Sequence, residues 1–154
     1  LVSVSPMLTA LLSHFLLRRE RLRPLFFAGL AVALAGVAMV SYNGAAVLEL
    51  ARSGADLKGV VSVHGGLETP AGQDYKEAKG QLLVQHGSAD EAVSLGQFAA
   101  LVAELESAGV KHEATSYSGA PHAFSVFGSA NYRADADAKS WQRFTGFLKE
   151  VTGS

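Results

Sequence analysis

The sequence contains no cysteine. That excludes disulfides and thiolate metal sites, and it leaves no thiol nucleophile. Acidic residues are almost missing from the start of the chain, where Glu20 is the only one before Glu49. Excess charge of either sign is missing overall. The formal net charge is -1, which gives no bulk reason to expect nucleic acid or another polyanion as a partner. There is no internal repeat, low-complexity tract or proline-rich linker. What remains is about one domain's worth of chain: 154 residues, 49% hydrophobic and 18% charged.

The averages hide a division near residue 44. Met7 to Leu17 is apolar except for Thr9, Ser13 and His14. A charged run, Arg18-Arg19-Glu20-Arg21-Leu22-Arg23, follows and is closed by Pro24. Leu25 to Val40 then carries no charge and no strongly polar side chain. With Ser41 and Tyr42 this uncharged stretch reaches 18 residues, near the lower limit for crossing a bilayer as a helix. The flanking arginines and Tyr42 suit a membrane boundary, and Gly29 and Gly36 suit close helix packing in lipid. No A-x-A-like cleavage site follows, so a secretory signal peptide fits poorly. The other reading is a buried soluble segment. In it, residues 34–40 (Leu-Ala-Gly-Val-Ala-Met-Val) form a central parallel strand, because such strands read as continuous apolar runs.

The run Ser5-Pro6-Met7-Leu8-Thr9-Ala10-Leu11-Leu12, then Arg19-Glu20-Arg21-Leu22, then Gly29 and Gly36-Val37, resembles the last two helices of an EamA-type drug/metabolite transporter. The resemblance covers about residues 3–44. It implies an apolar helical hairpin over residues 1–44 and membrane association through residues 7–42. Two helices of a ten-helix carrier form no transport path, and Glu20 reads as a boundary residue rather than a substrate ligand.

From residue 45 onward, helix and strand alternate. Ala45 to Ser53 reads as a short helix ended by Gly54. Lys58 to His64 reads as a strand, residues 67–79 as a loop, and Gln81 to His86 as a second strand before a turn at 87–90. Val93 to Ala108 has helical periodicity, with Phe98, Leu101, Val102 and Leu105 on one face, and Gly109 ends it. Lys111 to Tyr117 is a third strand. Asp135 to Val151 is a final helix whose Trp141, Phe144, Phe147, Leu148 and Val151 are expected in the core. Strands that alternate with helices imply a parallel sheet, with functional groups at the carboxyl ends of its strands. Asp90 and His122 both fall at such ends. An acid that precedes a histidine is the order of the α/β-hydrolase triad. The bland alternatives are that Asp90 caps the following helix and that His122 is an ordinary loop residue. His64 and His86 also end strands, but no acidic or cysteine cluster lies nearby in sequence to make them metal ligands.

Three separated motifs carry a second resemblance. The segment from Leu48 to Ser62 with His64-Gly65-Gly66-Leu67, the run His86-Gly87-Ser88-Ala89-Asp90, and the run Tyr117-Ser118-Gly119-Ala120-Pro121-His122-Ala123-Phe124 together resemble the dienelactone hydrolases. Ser140-Trp141 and the terminal helix match as well. The resemblance covers residues 45–154. It implies a partial α/β-hydrolase domain there, with three to four parallel strands and flanking helices. It also implies that Asp90 is the triad acid and His122 the general base.

The family's nucleophile elbow falls on Ser41, in Met39-Val40-Ser41-Tyr42-Asn43-Gly44. From Ser41 to Asp90 is 49 residues, and from there to His122 is 32. A serine hydroxyl becomes a nucleophile when a histidine takes its proton. The elbow is a strained turn that favours small residues, yet Met39 and Asn43 occupy the places of its glycines. Ser41 is therefore either the nucleophile or a residue at the boundary of the transporter-like segment. If it is the nucleophile, the backbone N–H of Tyr42 is an oxyanion donor. The second donor comes from an early part of the fold that the resemblance does not cover.

The expected activity is hydrolysis of a small-molecule carboxylic ester or lactone, without cofactor or metal, in the cytoplasm or at a membrane. A homo-oligomer is one way to cover an exposed sheet. The competing readings are a non-catalytic chimeric or truncated protein and a membrane-tethered α/β module.

Overall fold

Among the described residues four strands build one sheet, in the order β1 (Val37–Ala38), β2 (Gly59–Val63), β3 (Gln81–Gly87) and β4 (His112–Tyr117). Every neighbouring pair is parallel. Among the described residues three helices accompany them: α1 (Gly44–Arg52) between β1 and β2, α2 (Leu95–Ser107) between β3 and β4, and α3 (Ala134–Thr152) after β4. The structure is a computed structural model that describes residues 37–38 and 44–153. Ser41 and Tyr42, and the transporter-like segment up to residue 36, lie outside the described residues. This is the α/β architecture expected for residues 45–154, with element ends shifted by one or two residues. β1 falls within residues 34–40, the run with the composition of a central strand. No helix among the described residues is long and apolar enough to cross a membrane.

The period of two along a strand sends alternate side chains to opposite faces. On one face, Val60 of β2 and Leu82 and Val84 of β3 pack with Val47, Leu48 and Ala51 of α1 and with Leu101 and Leu105 of α2. On the other, Val61 and Leu83 pack on Phe147 of α3, with Val63, Phe144, Leu148 and Val151 around them. A sheet covered on both faces needs apolar residues at consecutive positions. That is why Val60-Val61 and Leu82-Leu83-Val84 are unbroken runs.

Local chemistry sets the helix ends. α1 stops at Gly54, whose φ of 71° suits a residue without Cβ. α2 opens with a capping box. The Ser94 hydroxyl accepts the Gln97 N–H at 3.2 Å, and the Gln97 side chain accepts the Ser94 N–H at 2.7 Å. The loop after β2 is tied to α1 by Arg52, a buried cation. Its guanidinium donates to Gln73 at 2.7 Å, to the Tyr75 hydroxyl at 2.8 Å and to Glu49 at 2.8 Å.

One core expectation is corrected. Trp141 is 61% exposed. The buried line of α3 runs through Ala136, Ser140 and Phe147, and position 141 lies a further 100° or so around the helix. Ser140 holds the inward place because its hydroxyl donates to the buried Gln85 side chain at 2.6 Å. Gln85 in turn donates to the Ser140 carbonyl and to the Tyr117 hydroxyl, each at 3.1 Å. A polar pair thus anchors α3 to the sheet where an aromatic residue was expected.

Candidate active site

The loops after β3 and β4 meet at the carboxyl end of the sheet. The Ser88 N–H donates to Tyr117 O at 2.9 Å, and the Ala89 N–H donates to Ala120 O at 3.0 Å. The Ser88 hydroxyl accepts the Gly119 N–H at 2.7 Å. Contact is so close at Gly87 that a Cβ there would lie 2.2 Å from Ala120 O. Only glycine permits that approach.

These loops bring Asp90 and His122 together. Nδ1 of His122 lies 2.9 Å from Oδ2 of Asp90. The other carboxylate oxygen accepts the N–H groups of Ala92 at 2.8 Å and Val93 at 2.9 Å. The Asp90 side chain has no exposed surface, whereas that of His122 is 42% exposed. An acceptor-only oxygen against Nδ1 places the ring proton there. The neutral ring then carries its lone pair on Nε2. Asp90 also does what a local cap does, since it binds backbone amides two and three residues ahead. The two roles use different oxygens.

The loop carrying His122 is braced at several points. Asn131 donates its side-chain N–H to His122 O at 3.0 Å, and the Arg133 N–H donates to Phe124 O at 2.9 Å. Ala123 has a φ of 61°, unusual for a residue with a Cβ.

A second histidine stands beside this pair. Nε2 of His64 lies 2.9 Å from the Ser125 hydroxyl. The His64 and His122 rings are 5.5 Å apart edge to face, and Phe124 is at the same distance from His64 on another side. Burial, and then the neighbouring His122, hold the His64 imidazole below its ordinary range. In the sequence His64 belongs to the His64-Gly65-Gly66-Leu67 run of the family resemblance and ends a strand, but nothing local points to a place beside His122. The signal available was its position directly beyond β2, at the functional end of a parallel sheet. His86 plays no comparable part. It is 1% exposed, stacks on Phe98 at 5.1 Å and, among the described residues, has no hydrogen-bond partner at either ring nitrogen.

Residues 36–152 match the dienelactone hydrolase family. The chain belongs to that family. The matched range includes Ser41 and Tyr42, together with Asp90 and His122. Among solved structures, the chain is 31% identical to the dienelactone hydrolase-like promiscuous phosphotriesterase P91 from metagenomic libraries. That match covers 70% of this chain and 48% of that one, with a TM-score of 0.61. It is 34% identical to m3DLH, with the same coverage of each chain and the same TM-score. MGS-M1, an alpha/beta hydrolase from a Medee basin deep-sea metagenome library, shares the fold at 18% identity and a TM-score of 0.61. There the match covers 77% of this chain and 53% of the other. The chain thus spans about half the length of these structures. No curated protein matches it. The transporter resemblance of residues 3–44 is not shown by these matches.

Proposed function

We propose that this dienelactone hydrolase family member hydrolyses a small carboxylic ester or lactone through Ser41, His122 and Asp90. The observation that carries the reading is the 2.9 Å contact between the half-open His122 imidazole and the buried Asp90 carboxylate. Topology supports the choice of Ser41. β1 is parallel to β2 and precedes α1, so its carboxyl end, Ala38, lies at the end of the sheet that carries His64, Asp90 and His122. A strand-to-helix connection is where this fold class keeps its nucleophile.

The chemistry follows from the roles. The Ser41 hydroxyl attacks the ester carbonyl carbon while Nε2 of His122 takes its proton. The Tyr42 N–H donates to the oxyanion that forms, and one such donor contributes roughly 10²–10³ in rate. Collapse of the intermediate breaks the acyl C–O bond, and His122 returns the proton to the leaving alcohol. Water, deprotonated by His122, then releases the acid and restores the serine. Asp90 holds the imidazole in the tautomer that this sequence needs.

The test is turnover of a short aryl ester by the purified full chain. Ser41→Ala and His122→Ala are each expected to lower kcat by about 10⁴-fold or more. Undiminished turnover in either variant removes the triad assignment.

A further inference from the structure

A hydrogen bond to one ring nitrogen leaves an imidazole free to rock about that bond. The Asp90 carboxylate therefore fixes the tautomer of His122 but not the plane of its ring. A further constraint comes from His64, whose ring meets that of His122 edge to face at 5.5 Å and 64°. His64 is itself held on three sides. Its backbone N–H donates to Gln85 O at 2.8 Å. Its ring meets Phe124 at 82°, and its Nε2 pairs with the Ser125 hydroxyl at 2.9 Å. It also has a φ of 41°. Such a conformation costs free energy and persists only where surrounding contacts impose it.

These contacts have a common geometry. Ser125 and Phe124 sit on the loop that carries His122, and His64 sits at the end of β2. The His64–Ser125 bond therefore clamps the histidine loop to a second strand, independently of the Asp90 contact to the turn after β3.

We propose that His64 and Ser125 form a buttress that positions the His122 imidazole, with His64 as a positioning residue and Ser125 as its anchor. The proposal rests on the hydrolase reading for its effect on rate, but the buttress itself is a statement about the orientation of His122. Neither residue exchanges a proton with substrate. Their loss lets the ring swing away from the line between nucleophile and leaving group. Misplacement of a catalytic group by about 1 Å can cost up to about 10²-fold in rate.

The experiment compares His64→Ala, Ser125→Ala and Ser125→Thr with the wild-type full chain by two readouts. The first is the proton signal of the His122 Nδ1–H in NMR spectra, assigned by its disappearance in His122→Ala. The second is steady-state turnover of a short aryl ester. Both alanine variants are expected to broaden or shift the His122 signal. Both should lower kcat about tenfold, with KM within about twofold. A variant combining His64→Ala with Ser125→Ala should be no slower than the slower single one, and Ser125→Thr, which keeps a hydroxyl, should recover most of the loss. If His64→Ala does not fold, Ser125→Ala, which removes one hydroxyl, carries the comparison. An unchanged His122 signal in the alanine variants overturns the buttress whatever their turnover. A wild-type chain without esterase activity instead sinks the hydrolase reading, and the NMR comparison still decides the buttress.

Discussion

Nδ1 of His122 lies 2.9 Å from Oδ2 of Asp90, and that carboxylate has no exposed surface while the imidazole is 42% exposed. The pair divides two tasks between its members: the acid is locked in the protein and the base reaches outward. Asp90 serves its own loop as well, through the amides of Ala92 and Val93. Structural and chemical roles can therefore be separated by choice of substitution.

Asp90→Asn is expected to leave the fold intact and lower activity by about 10⁴-fold, the scale that a wrong histidine tautomer produces in a serine protease. The amide oxygen can keep the bonds from Ala92 and Val93. The amide NH2 must then face Nδ1 of His122, which forces the ring proton onto Nε2 and removes the base. Asp90→Ala loses the acceptor too, and leaves the buried Val93 N–H unpaired at a cost of about 1–3 kcal/mol. Circular dichroism melts with ester turnover distinguish the two. A fully active Asn variant would show that the tautomer does not matter.

Gly87→Ala tests the join between the acid and histidine loops. A Cβ at this position meets Ala120 O at 2.2 Å, which is backbone and cannot rotate away. Overpacking of this kind costs about 1–3 kcal/mol and sometimes more. The loop holding His122 must move to admit the methyl group, so turnover should fall along with the urea midpoint. A variant with wild-type stability and activity would mean that the two loops are not held in this contact.

Much of this arrangement was legible in the sequence, for definable reasons. β2 and β3 announced themselves because a two-faced sheet forces runs such as Val60-Val61 and Leu82-Leu83-Val84. Asp90 and His122 stand out in the sequence because strand ends collect functional groups and because motifs surround them, and the structure brings the two side chains within 2.9 Å. The contact of His64 with Ser125 is not legible, because the two lie 61 residues apart and no local pattern connects them. Trp141 is exposed because hydrophobicity alone does not decide burial. The inward position of α3 instead belongs to Ser140, through a polar contact with a residue 55 positions earlier, Gln85.

That exchange of roles gives a paired prediction. Ser140→Ala removes the donor to the Gln85 side-chain oxygen, in a place where Gln85 is 1% exposed. A buried acceptor left unpaired costs about 1–3 kcal/mol. Trp141→Gln, one residue along, should change stability by no more than about 0.5 kcal/mol, because exposed substitutions away from special features rarely do more. Urea unfolding of the two variants measures both. Equal effects, or a larger one at Trp141, would contradict the orientation of α3.

His86 makes stability depend on pH. Burial lowers its pKa from the ordinary value of 6.5, so the native state resists protonation while the unfolded chain takes up protons as usual. Wherever the unfolded state binds more protons, stability rises with pH. Full stability is therefore present above about pH 6.5 and is lost as pH falls below it, by at most about 1.4 kcal/mol per pH unit for each such group. The loss levels off only below the depressed folded-state value. His64, shifted in the same direction, adds to the slope. Among the described residues the neutral His86 ring also has no acceptor for its N–H at either ring position, and an apolar replacement relieves that as well. His86→Leu should accordingly flatten the fall in urea midpoint between pH 8 and pH 5.5 without abolishing it, since His64 remains. A variant whose pH dependence matches the wild type would show that this ring titrates freely in the folded protein.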